Sequence, residues 1–351
     1  MDYSRILIIK PSSLGDIVHA LPAAAALRRL YPVAALTWLV KPEWSEILEG
    51  NPGIDEIVIL PTSIRRLLQT VRLLRAKRFD LVVDLQGLLR SGLLAWLTGA
   101  PVRVGYAAAR EGSWVFYTHR VPLPVAKAPW RLLDLHAVDR NLAVVASLGA
   151  EIRNPQFSIA SFPSDQLAVE AWLREAGVQP GDQLVAIAPV DRRGVRSWPL
   201  ERFVAAASAL GRMHGVRIVL MGASADDMMS ARFRAAVGDK LVDLLGKTRV
   251  RQLGALLRRV NLLIANDSAP IHIAAAVGTP VLALFGPTHH VRARPYGEGH
   301  VVLRTGISCS PCEKLTCANP NQYECLTAIS VTDVVETART MLNKSEVAAC
   351  R

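Results

Sequence analysis

The chain contains no run of the roughly 20 apolar residues that a membrane-spanning helix requires. Its apolar region 262–285 is broken by Asn266, Asp267, His272, Gly278 and Pro280. No export signal is expected at the start of this sequence either, because the run Ile6–Ile9 is too short for one and Lys10-Pro11 ends it. These absences predict a cytoplasmic protein. Aromatic residues make up only 6% of the 351 positions and no nucleic-acid recognition motif is present, so no nucleic acid is expected as a partner. No GxGxxG fingerprint follows the first strand-like run, which disfavours a dinucleotide dehydrogenase. No period of 20–50 residues marks a solenoid. Acidic residues are the scarcer charge, 30 against 41 Lys and Arg, leaving a net charge of +11. Such an excess favours anionic partners: phosphorylated substrates, a membrane surface or nucleic acid. The arginines are spread along the chain, as a folded basic surface requires, and are not massed in a tail.

What is present is an alternation of strand-like and helical patterns. Arg5–Lys10, Ala35–Val40, Glu56–Leu60 and Asp80–Leu85 read as strands, with helices over Ile17–Leu30, Thr62–Lys77 and Leu88–Leu97. A second series holds strands at Leu184–Ala188, Arg217–Met221, Leu241–Asp243, Leu262–Ala265 and Val281–Phe285. Helical patterns over Arg202–His214, Ala225–Ala236 and Gln252–Arg259 separate them. Strands alternating with helices imply βαβ units and parallel sheets. The expected class is therefore α/β, with two Rossmann-like domains facing across a cleft. The predicted division is 1–165, 166–330 and a terminal helix and tail over 331–351, with the linker near 155–180.

Three segments carry chemistry. In Pro11–His19, Gly15 permits a tight turn and Asp16 stands at a helix start. Asp16 is either a helix cap or a general base beside a cleft, and His19 shares its face at i+3 or is packed in the core. In Asn266–Ala274, small residues let a helix N-terminus offer N–H groups and Ser268 to a phosphate. Asp267 would repel a phosphate, so it caps the helix or contacts a sugar hydroxyl, and His272 is a core or site residue. In Val190–Pro199, Arg192, Arg193 and Arg196 suit a diphosphate, which guanidinium forks bind bidentately, or form a solvated loop.

Taken together, SSLGDIVHALPA (12–23), IRR (64–66), DLQGLLRSGLL (84–94), AREG (109–112), FYTHR (116–120), LHAV (135–138), RSWP (196–199), NDSAPIHIAAA (266–276) and LFGPT (284–288) resemble the heptosyltransferases of glycosyltransferase family 9. The resemblance covers nearly the whole chain. The opening motif, IRR, AREG and LHAV are similar to those of members that place the first heptose on the inner-core Kdo of lipid A. The resemblance implies a GT-B fold and an inverting single displacement, with ADP-L-glycero-D-manno-heptose as donor and Kdo2-lipid A as acceptor. It also implies peripheral contact with the inner-membrane surface and no required cofactor. Asp16 falls on the family's proposed base, with His19 beside it. Ser13, Gly15, Arg196, Asp267, Ser268 and His272 match the donor side, and Ser224 stands where a glutamate can hold the ribose. Arg65, Arg66, Arg90 and Arg110 match basic positions around the acceptor. Arg196 replaces a lysine, Ser268 a threonine and Ala269 a glycine.

Cys309, Cys312, Cys317 and Cys325 depart from the first-heptose members. Their spacing fits either a four-ligand metal framework or thiols in a loop; the latter is the expectation, with no metal site. Cys350 is expected to be a bystander. Three further readings stand: transfer of a later core heptose, a 2-epimerase of the same fold, and a basic zinc-containing nucleic-acid binder.

Overall fold

The computed structural model describes residues 2–123, 135–189, 197–314 and 316–349. They form two units, Met1–Ala160 and Ser161–Arg351.

In the first unit the elements are β1 (Arg5–Ile9), α1 (Leu14–Leu30), β2 (Ala35–Val40), β3 (Glu56–Ile59), α2 (Ile64–Ala76), β4 (Leu81–Asp84), α3 (Leu89–Leu97), β5 (Val102–Tyr106), β6 (His119–Val121) and α4 (Ala137–Ala146), with a tight turn region over Arg110–Phe116. The six strands are ordered β3-β2-β1-β4-β5-β6, all parallel. A parallel strand with helices over both faces is an unbroken apolar run, and β1 is one: Ile6, Leu7, Ile8 and Ile9 are wholly buried. Each such side chain contributes about 1.5–3 kcal/mol. α1 packs against α4, and its small residues Ala20, Ala23 and Ala24 are fully buried.

The second unit runs α5 (Pro163–Glu175), β7 (Gln183–Ala188), α6 (Leu200–Gly211), β8 (Val216–Gly222), α7 (Asp227–Val237), β9 (Leu241–Leu245), α8 (Val250–Arg259), β10 (Leu262–Asn266), α9 (Ala269–Ala276), β11 (Val281–Leu284), α10 (His290–Ala293), β12 (Val301–Leu303), α11 (Glu324–Thr327) and α12 (Val331–Ala349). Its order, β12-β11-β10-β7-β8-β9, is again all parallel. Both sheets therefore share one plan, in which the strand order reverses beside the first strand of each unit.

The boundaries differ from the sequence reading in two places. The division expected at 165/166 falls inside α5, which starts with Pro163 at its first helical position and belongs to the second unit. Arg251 holds it there, with a guanidinium nitrogen 2.5 Å from Asp165. The expected separate tail is part of the second core: Val334, Ala338 and Leu342 of α12 pack with Trp198 and Phe203. Among the described residues, no helix is long and apolar enough to cross a membrane.

Candidate functional site

As a general rule, open parallel α/β sheets bind ligands outside the carboxyl ends of the strands, where the order reverses. In the first unit that place lies between β1 and β4. β1 runs into Lys10, whose buried ammonium donates to the Leu85 carbonyl at 2.8 Å and so ties the two strand ends together. The chain then turns into α1. Ser13, not Asp16, is its N-cap; Asp16 sits three residues on, and its carboxylate accepts from the Ser13 N–H at 3.1 Å and the Ser13 hydroxyl at 2.8 Å. This reciprocal cap fixes the carboxylate in a half-buried position at the strand end. Gly15 is buried within the first helical turn.

The charges around Asp16 are coupled. Burial pushes the Lys10 ammonium below its ordinary value, Asp16 and Asp84 oppose that shift, and the Arg140 guanidinium adds to it. Asp84 is fully buried at the end of β4; burial raises its carboxyl, although Tyr117 donates to it at 2.7 Å and the N–H groups of Gln86 and Gly87 at 2.9 and 3.2 Å. His19 is buried edge-on against His136, with ring centroids 5.3 Å apart. Its main-chain carbonyl accepts from Asn141, which in turn accepts from the Tyr106 hydroxyl at 2.6 Å. A packed network thus adjoins the half-buried Asp16 carboxylate.

The predicted acceptor arginines share this end of the sheet. Arg65 and Arg66 follow β3, Arg90 follows β4 and Arg110 follows β5; all four are exposed. The Arg110 N–H donates to the Gly87 carbonyl at 3.0 Å, joining two of these loops.

In the second unit the reversal lies between β7 and β10. The loop after β7 carries Arg192, Arg193 and Arg196, which lie outside the described residues. Both its edges are described, and one side chain holds them: fully buried Asn266 accepts from the Trp198 N–H and donates to the Pro189 carbonyl, each at 2.8 Å. Ser268, not Asp267, is the N-cap of α9, and its hydroxyl donates to the Asn266 carbonyl at 3.2 Å. Asp267 and His272 are buried at the same strand end. Ser224 is exposed after β8, next to a hollow of about 660 Å³ lined by Ala225, Asp226, Arg234, Asp243, Leu245 and Lys247.

The cysteines lie further along. Cys309, Cys312, Cys317 and Cys325 are unpaired thiols that line one cavity of about 320 Å³. The proximity of the other three, added to burial, raises the Cys325 thiol. Among the described residues, no three His, Cys, Asp or Glu side chains are grouped to hold a metal ion. The segment is seated on the turn after β11: Ser310 donates to the Gly286 carbonyl at 2.6 Å, and a Cβ at Gly286 would lie 2.5 Å from Leu326 Cγ. Cys350 lies outside the described residues.

The structure brings Ser13, Gly15, Asp16 and His19 to one strand end in the first unit, and Asp267, Ser268 and His272 to one strand end in the second. Sequence reasoning missed Lys10, Asp84, Arg140, Asn141 and the clamping role of Asn266. The only local signal was a lysine or asparagine ending an otherwise apolar strand.

A family model described as glycosyltransferase family 9 (heptosyltransferase) matches residues 66–322. Lipopolysaccharide heptosyltransferase 3 of Escherichia coli K12 is 32% identical over 314 residues, covering 83% of this chain and 85% of that protein. Lipopolysaccharide heptosyltransferase 1 of Pseudomonas aeruginosa is 29% identical over 333 residues, 89% and 87% of the two chains. A family 9 glycosyltransferase from Veillonella parvula superposes with a TM-score of 0.83 at 25% identity, over 98% of both chains. E. coli heptosyltransferase WaaC with ADP-2-deoxy-2-fluoro heptose does so with a TM-score of 0.69 at 23% identity, over 95% of this chain and 99% of that one, a likeness of fold alone. The neighbours are GT-B heptosyltransferases, in agreement with the α/β class read from the sequence. The motifs suggested members that add the first heptose, but identity to a type 3 enzyme is higher than to this type 1 enzyme, so similarity does not single out type 1. The motif residues stand at the strand ends of two parallel sheets and the family pattern runs over residues 66–322, through the second half of the first sheet and all of the second, so the chain belongs to glycosyltransferase family 9, the heptosyltransferases.

Proposed function

We propose that this enzyme transfers L-glycero-D-manno-heptose from ADP-heptose to the Kdo of Kdo2-lipid A, with inversion, in lipopolysaccharide core biosynthesis on the cytoplasmic side of the inner membrane. The observation that carries the reading is the half-buried Asp16 carboxylate, fixed by Ser13 at the β1 strand end with Lys10 in electrostatic reach. Such a group can take the proton of an acceptor hydroxyl as the sugar carbon is attacked. His19, one helical turn along α1, serves the reaction beside Asp16, its ring against His136 and its main-chain carbonyl held by Asn141. On the donor side, Arg196, Ser268 and the N-terminus of α9 bind the diphosphate and stabilise departing ADP, with Asp267 and His272 toward the sugar and Ser224 toward the ribose. Arg65, Arg66, Arg90 and Arg110 bind the phosphates and carboxylates of the acceptor. This scheme calls on no cofactor. The relatives' names and the ADP-heptose analogue carried by WaaC support the donor assignment.

The identity to heptosyltransferase 3 favours one second reading, in which the acceptor is a core already bearing heptose. Incubating the enzyme with ADP-heptose and each acceptor in turn, and weighing the products by mass spectrometry, separates the two. A heptose added to Kdo2-lipid A supports the first reading. Addition only to the heptosylated core replaces it with the second, and no addition to either sinks both.

A further inference from the structure

The first unit displays large apolar side chains where solvent would be expected. On α3, Leu89, Leu93 and Trp96 follow one another at i, i+4 and i+7 and so form a single stripe. The opposite face of the helix is anchored, with Ser91, Gly92, Leu94 and Ala95 buried. The Arg110–Phe116 turn packs alongside, and Gly92 makes the close approach possible: a Cβ there would lie 2.9 Å from the Ser113 carbonyl oxygen. The Trp96 and Phe116 rings sit 6.4 Å apart across this seam. Trp114 and Val115 then continue the apolar surface, and the five side chains are between 39% and 54% exposed. A contiguous exposed apolar patch on a rigid element marks an interaction surface.

Charge identifies the partner. Residues 64–121 hold ten Arg and Lys against three Asp and Glu, and one of the acids, Asp84, is fully buried. Arg120 lies 4.7 Å over the ring of Trp114. On neighbouring α2, Arg65, Arg66, Arg72 and Arg75 are all exposed, and the helix itself carries no acidic residue. We propose that the face formed by α3 and the Arg110–Phe116 turn docks on an anionic lipid bilayer. Leu and Trp enter the boundary between headgroups and chains while the arginines meet lipid phosphates. A second copy of this chain would bring like charge against like. A nucleic-acid backbone would leave the aliphatic stripe in water. The inference stands whether or not heptose is the group transferred.

The test is flotation of the full chain with phosphatidylcholine vesicles, with and without about one-third phosphatidylglycerol. The native chain should float with the anionic vesicles, roughly tenfold more than with the neutral ones, and salt should weaken this. Leu93→Ser/Trp96→Ser and, separately, Arg72→Glu/Arg75→Glu should each cut partition by roughly tenfold or more while melting temperature and ADP affinity stay native. Should the double serine variant not fold, Val115→Ser, on the same patch but outside the helix, should still weaken partition. Equal flotation with both vesicle types, or partition unchanged in the apolar variants, overturns the proposal. So does light scattering that shows a native dimer dissolved by Leu93→Ser/Trp96→Ser, or binding to duplex DNA that exceeds binding to anionic vesicles.

Discussion

The side-chain carbonyl of Asn266 accepts the main-chain N–H of Trp198 at 2.8 Å, across 68 residues of sequence. Its amide donates just as closely to Pro189, so one fully buried residue pins both edges of the loop that carries Arg196. Asn266→Ala leaves two buried main-chain groups without a partner, which should cost about 2–4 kcal/mol. The expected result is a lower melting temperature together with weaker ADP binding by calorimetry. Native values for both would mean that the loop is held by other contacts.

Asp16→Asn keeps an acceptor for the Ser13 hydroxyl but removes the charge that takes a proton. Turnover should fall by roughly 10²–10⁴ while ADP affinity, proposed to come chiefly from the second unit, changes little. Stopped-time product assays beside calorimetry read the two separately. If turnover stays near native, the carboxylate is no more than the helix cap that its bonds to Ser13 already make it.

Two histidines of the second unit give stability a pH slope. Burial holds His300 below its ordinary 6.5, opposed by a backbone contact from Tyr296 and aided by Arg294. Burial also lowers His290, with Arg304, His289 and Arg294 acting in the same direction. A lowered imidazole means that the unfolded chain binds more protons than the native one in this window. Stability should therefore be lost as pH falls below about 6.5 toward the folded values. In urea titrations at about pH 7 and about pH 5.5, His300→Phe should shrink the difference between the midpoints. An unaltered difference would assign the slope to other groups.

The thiols around the 320 Å³ cavity make a prediction about metal. Heptose transfer should persist after treatment with a strong chelator, because the proposed displacement relies on basic side chains and a helix N-terminus to receive ADP. Cys309→Ser/Cys312→Ser, at exposed positions, should lower stability only slightly. Elemental analysis giving about one metal per chain, with transfer abolished on its removal, would reverse this expectation.

Burial pattern decided how much of this could be read in advance. β1 and β10 announce themselves because a parallel strand covered on both faces is an apolar run with a polar end. β5 does not, since Arg103 and Gly105 interrupt it, and β6 and β12 have three residues each. The cap reading offered for Asp16 holds in part: Ser13 is the N-cap of α1 and Asp16, three positions on, completes the box by accepting from it, and either residue type suits an N-cap. Lys10 and Asn266 were overlooked for a different reason. Their partners are 75 residues away and, for Asn266, 68 and 77 residues away, and only the completed sheets bring them within reach.

Neither six-stranded sheet borrows a strand from the other, and the chain passes between the two units once, at Ala160–Ser161. A crossover there would sever no strand pairing in either sheet. Two family members could thus exchange halves by recombination, each half arriving with its hydrogen-bond ladder and core complete. Under the proposed division of labour, a lineage could change the molecule it glycosylates by acquiring a foreign first half and keeping its own second half. Reciprocal chimeras joined at this point should show the same inheritance, with acceptor choice following the first half and ADP affinity the second.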